Sequence, residues 1–402
     1  MKKKEIYIDI FSGCGGLSLG LFNAGWTGCF AIEKNEDAFN TLRHNLIDQK
    51  KHFAWPKWLP IAAHDINELI KKYSHELNDI SGTITLVAGG PPCQGFSMAG
   101  KRNRDDMRNK LVKSYIKFIR IVKPKAIVFE NVHGFTVDFK NEVRSVKFSQ
   151  YVQNALKRLG YKVCHEIIDM SNFGIPQKRK RYIMVGLLDK DPISVFSKLV
   201  SNLDMFLNER GLSNPIGTLA AINDLRQSIG EVDSPDTYRF KAGIYGEIES
   251  PYQKLMRNDI INLECKAVDS HRFVNHRGVT IKLHNDLLEK ATRGKRIAPC
   301  DNVVEGLKRR GVTVLDANMP APTITSIPDD MIHYEEPRIL TVREHARLQS
   351  FPDWYEIKGV YTTGGERRKY EVPRYTQIGN AIPPLFAEQL GIALKEVLFD
   401  ES

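Results

Sequence analysis

Cysteine is sparse in this chain of 402 residues. The six are Cys14, Cys29, Cys93, Cys164, Cys265 and Cys300, and no two stand two to four positions apart. That spacing excludes the paired thiols of a zinc site, and isolated thiols in a chain this long do not make a disulfide framework. No metal is expected. Long apolar runs are also missing. None reaches the roughly 20 residues of a membrane span, so no membrane association is expected. The opening Met1-Lys2-Lys3-Lys4 is basic but is not followed by the apolar stretch and small-residue cleavage site of a signal peptide, which points to the cytoplasm. No G-K-[ST] sequence closes a phosphate loop, which speaks against a nucleoside triphosphatase. The dinucleotide fingerprint G-x-G-x-x-G is incomplete as well. In Gly13-Cys14-Gly15-Gly16-Leu17-Ser18 a serine stands where the third glycine belongs, which disfavours a nicotinamide cofactor. Repeats and low-complexity tracts are absent.

What is present suits a globular protein of one large domain or two, with 42% hydrophobic and 26% charged residues. The formal net charge of +10 fits either solvated lysines or an electrostatic footprint for nucleic acid. Up to about Lys190, short apolar strands alternate with helical patterns. Strands are predicted at Ile6–Ile10, Cys29–Glu33, Ile61–Ile66, Ile84–Ala88, Ala126–Glu130, Val163–Ile168 and Tyr182–Leu188. Helices are predicted from Leu17 to about Gly25, over Glu36–Leu46 behind an Asn35 cap, from Leu111 to Val122, and over Tyr151–Leu159. This alternation predicts a doubly wound, mostly parallel α/β sheet covered on both faces, with ligands beyond the carboxyl ends of its strands. Asp9, Glu33, Asp65, Cys93 and Glu130 all fall at or just past such ends.

From 191 to about 335 the patterning fails. Short polar segments alternate with basic clusters such as Arg293-Gly294-Lys295-Arg296 and Lys308-Arg309-Arg310, as expected of a second, smaller, irregular domain. Regularity returns at 336–402. Thr341-Val342-Arg343-Glu344 has the form of a capping box, and an apolar helix follows Pro383-Pro384. That helix needs a partner surface, so the chain is expected to return to the first domain.

The Gly-rich turn after the first strand lets backbone approach a ligand closely. Glu33 could accept from ribose hydroxyls, Asp65 from an adenine amino group, and Ile66 could pack on the ring. Either carboxylate taken singly reads equally well as a solvated loop residue; together they fit S-adenosylmethionine. Cys93, set between Pro91-Pro92 and Gln94-Gly95, is either a structural thiol in a tight turn or a nucleophile.

The ordered set of motifs resembles the DNA (cytosine-5)-methyltransferase family, bacterial restriction-modification type. Asp9-Ile10-Phe11-Ser12-Gly13-Cys14-Gly15-Gly16 is similar to its first cofactor motif, and Glu33 and Asp65-Ile66 to its ribose and adenine contacts. Gly89-Gly90-Pro91-Pro92-Cys93-Gln94-Gly95-Phe96-Ser97 resembles its nucleophile motif, and Glu130-Asn131-Val132 the motif of the acidic group. Gln177-Lys178-Arg179-Lys180-Arg181 resembles the paired-arginine motif. Arg338 to Pro352 resembles the motif supporting the recognition domain, and Gly379-Asn380-Ala381-Ile382-Pro383-Pro384 the last cofactor motif.

The resemblance implies a Rossmann-like, S-adenosylmethionine-dependent methyltransferase fold. Residues 1–190 would form the catalytic and cofactor-binding domain, 191–335 the target-recognition domain, and 336–402 the return to the first. It implies a methyltransferase that acts on carbon 5 of a flipped-out cytosine in a specific duplex DNA sequence, through a Cys93 adduct at carbon 6, and protects host DNA from a cognate restriction endonuclease. Cys93, Glu130, Arg179 and Arg181 would be catalytic, Glu130 as an acid whose site raises its pKa, Arg181 holding the ring carbonyl and Arg179 in support. Asp9, Phe11, Gly13, Gly15, Gly16, Glu33, Asp65, Ile66, Pro91 and Asn380 would hold S-adenosylmethionine, leaving S-adenosylhomocysteine as product. Gln94, Ser97, Lys101, Arg102 and Arg104 would contact DNA, on a loop that either orders over the flipped base or stays a mobile surface segment. A monomer is expected, forming no stable complex with the endonuclease. Methylation of tRNA by the same chemistry and a catalytically dead DNA-binding scaffold are the competing readings; intact Cys93, Glu130 and Arg181 argue against the second.

Overall fold

The computed structural model describes residues 5–92, 107–136, 148–260, 267–307, 311–362, 366–367 and 370–399. By its contacts the chain forms two compact units. The first comprises Met1–Asp169, Lys180–Asp204 and Phe386–Ser402, and the second Met170–Arg179 and Met205–Leu385. The chain thus re-enters the first unit at Phe386, later than the return at 336 expected from the sequence.

The first unit is built on a six-stranded sheet. Its strands are β1 (Ile6–Ile10), β2 (Thr27–Ile32), β3 (Leu86–Gly89), β4 (Ala126–Val132), β5 (Lys162–Asp169) and β6 (Lys180–Leu187), ordered β2-β1-β3-β4-β6-β5. The pairs β2/β1, β1/β3 and β3/β4 are parallel, whereas β6 runs antiparallel to both β4 and β5. This is the mostly parallel α/β sheet predicted, with one reversed strand. The reversal puts the start of β6 beside the carboxyl end of β4, and Arg181 is opposite Val132.

Side chains alternate across each strand, and the two faces of β1 show the consequence. Ile8 and Ile10 join a core with Leu69 and Ile70, with Val112, Tyr115 and Ile119, and with Val152 and Leu156. These come from the helices α3 (Ile66–Lys72), α5 (Met107–Val122) and α6 (Phe148–Arg158); α1 (Gly16–Asn23), α2 (Glu36–Leu42) and α4 (Ser74–Asp79) complete the set in chain order. Asp9, of opposite parity, is bonded to Ser18 of α1 instead. The apolar C-terminal helix Pro384–Phe399 finds the partner it needs in this unit. The Trp26 indole donates to the Gly391 carbonyl at 3.0 Å and the Lys395 ammonium to that of Gly25 at 2.9 Å.

Two local expectations are corrected. Residues 61–65 form no strand. Asp65 caps α3, its Oδ1 accepting from the Asn67 amide at 2.8 Å and the Glu68 amide at 3.4 Å, so that Ile66 begins a helix. The helix behind Asn35 ends its α-helical part at Leu42 and continues as a wider π turn over Arg43–Gln49.

The second unit has only short strands: the hairpin β7 (Glu231–Asp233) with β8 (Lys241–Gly243), and a small sheet of β9 (Arg296–Ile297), β10 (Val312–Val314) and β11 (Met331–Ile332). Buried ion pairs tie its segments together. Arg347, fully buried, forks onto Asp353 at 2.7 and 2.6 Å and onto Asp224 at 3.0 and 3.1 Å. Arg338 forks onto Glu344 at 2.8 Å twice, and Arg343 meets Asp269 at 2.6 Å. The capping box is present as predicted. Thr341 accepts from the Glu344 amide at 3.2 Å, and Glu344 accepts from that of Thr341 at 2.7 Å.

Candidate active site

The register of the first sheet sets up the site. Ile10 pairs with Ile32 and with Gly89, and Gly89 pairs with Phe129. The next residue along each strand is Phe11, Glu33, Gly90 and Glu130. Two of the expected carboxylates and the start of the nucleophile motif therefore share one row at the carboxyl edge.

At the catalytic end, Glu130 Oε1 is 3.0 Å from Arg181 Nε, and both side chains are largely buried. Burial pulls the Arg181 guanidinium below its ordinary pKa, and the adjacent Glu130 carboxylate opposes that shift. Gly90 runs tight against Glu130. A Cβ at position 90 would lie 2.2 Å from the Glu130 carbonyl oxygen and 3.0 Å from its Oε2. The Asn131 side-chain Nδ2 donates to the Pro91 carbonyl at 3.3 Å. The strand of the acidic group thus grips the strand leading to Cys93. Cys93 itself lies outside the described residues, as do Gln94, Ser97, Lys101, Arg102 and Arg104.

Arg179 does not accompany Arg181. It belongs to the second unit, where its buried guanidinium donates to the carbonyls of Ile324 at 3.3 Å, Gly379 at 2.9 Å and Ala381 at 3.0 Å. Its guanidinium is thus engaged with backbone carbonyls and is not brought beside the Glu130–Arg181 pair. Gln177, which opens the same motif, donates to Gln349 at 3.0 Å and accepts from the Ile324 amide at 2.9 Å. Together they hold the 379–381 segment that carries the exposed Asn380.

At the cofactor end, the turn after β1 takes left-handed backbone at Phe11, Gly13 and Gly15, with φ of 61°, 54° and 90°. Only glycine adopts this freely, so the two glycines are required by the turn's shape and Phe11 is strained. The Gly13 amide donates to Glu33 Oε2 at 2.9 Å and the Asn35 amide to Oε1 at 2.7 Å. Burial nevertheless raises the Glu33 pKa. Burial also acts to raise Asp65, but Lys34 at 3.0 Å and the two capped amides outweigh it, leaving that carboxyl below its usual range. The His64 amide donates to the Glu33 carbonyl at 2.7 Å and so draws this segment to the end of β2. Ile66 is buried in the core.

Asp9 is fully buried. Its Oδ2 accepts from the Ser18 hydroxyl at 2.6 Å, and burial pushes its pKa up to about 7. Ser18 is the very residue that breaks the dinucleotide fingerprint, and its bond to Asp9 was not legible beforehand. Asp9 Oδ1 and the Ser12 hydroxyl have no partner among the described residues. Carboxylates and unsatisfied hydrogen-bonding atoms around a glycine turn fit a cationic nucleoside with free hydroxyls and not a row of phosphates. The described thiols do not compete for a nucleophile's part at this edge. Burial raises Cys14 to about 12 and Cys29 to about 11.

The second unit holds an open concavity of about 490 Å³ lined by Lys178, Arg293, Lys295, Asp316 and Thr323 among others. Three cations face one carboxylate there. Among the described residues no helix is long and apolar enough to cross a membrane, and no group of three or more His, Cys, Asp or Glu is placed to hold a metal ion.

A mostly parallel α/β sheet with acidic groups at its carboxyl edge is consistent with an S-adenosylmethionine-dependent methyltransferase fold. The model of the C-5 cytosine-specific DNA methylases matches residues 6–396, and the chain belongs to that family. It is 30% identical to the Type II methyltransferase M.DdeI of Desulfomicrobium norvegicum over 406 residues, covering 95% of this chain and 86% of that protein. It is 28% identical to the Type II methyltransferase M1.HphI of Haemophilus parahaemolyticus over 403 residues, covering 98% and 88%. Among solved structures, an E. coli prophage protein described as a DNA modification methyltransferase shares the fold with a TM-score of 0.65 at 22% identity, covering 98% of this chain and 99% of that one. The S. pombe Dnmt2 methyltransferase does so with 0.52 at 16%, with the same coverage. The protein is a DNA (cytosine-5)-methyltransferase, and its family implies S-adenosylmethionine as methyl donor and DNA as substrate.

Proposed function

We propose that this enzyme methylates a flipped-out cytosine within a specific duplex sequence through a covalent Cys93 adduct, as the modification partner of a restriction system. The observation that carries the mechanism is the Glu130–Arg181 pair beside Gly90-Pro91. Carbon 5 of cytosine is a weak nucleophile. Addition of the Cys93 thiolate to carbon 6 breaks the aromatic system and makes carbon 5 enamine-like. Charge then moves onto ring nitrogen 3 and the carbonyl oxygen at position 2. Glu130 delivers a proton at nitrogen 3, and Arg181, fixed by its bond to Glu130, stabilises the oxygen. S-adenosylmethionine held at the glycine turn would supply the electrophilic methyl group taken up by carbon 5, with S-adenosylhomocysteine as the by-product. Loss of the carbon-5 proton to a base then expels the Cys93 thiolate. A stacked cytosine cannot reach these groups, so the base must leave the duplex.

Asp9, Phe11, Gly13, Gly15, Gly16, Glu33, Asp65, Ile66, Pro91 and Asn380 are the proposed cofactor residues, and Arg179 positions the segment carrying Asn380. Gln94, Ser97, Lys101, Arg102 and Arg104 are the proposed DNA contacts beside the nucleophile. Residues 191–335 read the sequence, with Lys178, Arg293 and Lys295 at the concavity against phosphates. The similarity to Type II methyltransferases supports the restriction-modification setting.

Labelled S-adenosylmethionine offered with random duplex DNA and with tRNA tests this reading. Duplex should be labelled by wild type and not by Cys93→Ser, while Glu130→Gln and Arg181→Ala should each lose about 10²- to 10⁴-fold in kcat. Label on tRNA alone would overturn the substrate, and undiminished labelling by Cys93→Ser the mechanism.

A further inference from the structure

The β7–β8 hairpin of the second unit carries, at its tip, an arrangement that the catalytic cycle does not use. Tyr238 is 84% exposed, and Arg239 beside it has left-handed backbone with φ of 63°. A non-glycine residue held there is uncommon and persists only when its surroundings enforce it. They do. The Asn275 side-chain Nδ2 donates to the Arg239 carbonyl at 3.2 Å, and the Ser234 backbone N–H donates to the Phe240 carbonyl at 2.9 Å, closing the loop. Arg272 lies against two rings, with its guanidinium carbon 4.1 Å from the Phe240 ring centre and 3.8 Å from that of Tyr361. Arg374 covers Tyr361 at 4.2 Å and pairs with Asp236 at 2.7 Å. The base of the tip is therefore a packed, charge-paired block.

Out of this block stand two side chains. The Arg239 guanidinium has no hydrogen bond or ion pair among the described residues, and rests 5.1 Å from the centre of the Tyr238 ring. An unpaired guanidinium beside an aromatic face, presented on a braced turn, suits bidentate reading of guanine O6 and N7 in the major groove, and a two-stranded ribbon fits that groove. A residue needed only for phosphate contact would need neither the fixed backbone nor the oriented fork.

We infer that Arg239, oriented by Tyr238 on the braced β7–β8 tip, is a specificity-determining residue that reads a guanine of the recognition sequence. This rests on the proposed duplex DNA substrate. The test maps methylated sites by bisulfite conversion on a random-sequence duplex library, for wild type, Arg239→Ala and Arg239→Gly. Glycine accepts the left-handed backbone, so the second variant removes the side chain while keeping the turn. Preference for guanine should fall about ten- to hundredfold at one position and stay intact at the others. Wild type acting on duplex with 7-deazaguanine at that position should fall to the variants' rate. An unchanged site preference in both variants would overturn the inference. So would loss spread evenly over all positions with a shallower salt dependence, which marks a phosphate contact, or an undiminished rate on the 7-deazaguanine duplex. Failure of wild type to label any duplex would instead overturn the proposed substrate.

Discussion

Asp9 shows how much one residue can carry. It sits in an inner strand of a parallel run with its carboxyl shut away from water, one oxygen bonded to Ser18 and the other without a partner among the described residues. Burial raises its pKa from an ordinary 3.8 to about 7. A carboxyl whose folded pKa is raised binds its proton more tightly in the native state. Its contribution to stability is therefore full below about pH 4 and is lost as pH rises through about 7. The size is on the order of 2–4 kcal/mol. Asp9→Asn should remove this dependence, so that the variant is more stable than the cofactor-free wild type at pH 7.5 and the gap narrows at pH 4.5. Urea midpoints at the two pH values check this, and a gap independent of pH would refute it. The position was legible as a strand-end acid. Its partner was not, because Ser18 reads from sequence as a missing glycine and only the turn of α1 brings it back to the strand.

The elements explain which parts of the site could be foreseen. The parallel strands β1 to β4 announced themselves as short apolar runs, and the row Phe11, Glu33, Gly90 and Glu130 follows from their register. The supposed strand at 61–66 failed because Asp65, with Glu68 three residues on, is a helix start whose signal lost to a run of apolar letters. The reversal of β6 left no trace in its own sequence, since a buried strand has the same composition in either direction. Yet that reversal gives Arg181 to Glu130. Gly90 is the element-scale constraint. Gly90→Ala places a methyl group 2.2 Å from the Glu130 carbonyl oxygen, so the end of β3 must move away from β4. Methyl transfer should fall at least about tenfold, in line with the sensitivity of catalysis to misplacements near 1 Å. A kcat within twofold of wild type, measured by methyl incorporation, would show that the close approach is unnecessary.

At the scale of the whole molecule, the second unit explains why periodicity vanished after 190. Its strands are two or three residues long, and its central helix Val342–Leu348 is wholly buried although Arg343, Glu344, His345 and Arg347 lie on it. Arg343 and Arg347 find Asp269 and Asp224 74 and 123 residues back along the chain, so no local pattern records those pairs. The same packing buries histidines in neutral form. Burial lowers His271 to about 3, and His276 and His345 to about 4, from an ordinary 6.5. Groups with depressed folded pKa contribute stability that is present above 6.5 and lost as pH falls towards 4. The second unit, with three such imidazoles, should weaken between pH 6.5 and 4 more than the first, where the gain at Asp9 offsets the loss at His52, itself lowered to about 4. Hydrogen exchange at pH 7.5 and pH 5 should show protection falling selectively in 205–385. Equal loss in both units, or none, would contradict this.

The excursion Met170–Arg179 has a further consequence for portability. These residues leave the sheet between β5 and β6 and lie in the second unit, where Gln177 pairs with Ala321 and Arg179 clasps the 379–381 backbone. The second unit is therefore not a single insert with two seams. A chimera that exchanged only 205–385 would set a foreign body around a native Gln177 and Arg179, and its seating would depend on the recipient's own short segment. Transfer of sequence preference between relatives needs 170–179 to travel with the larger piece, or a recipient whose residues there match the donor's.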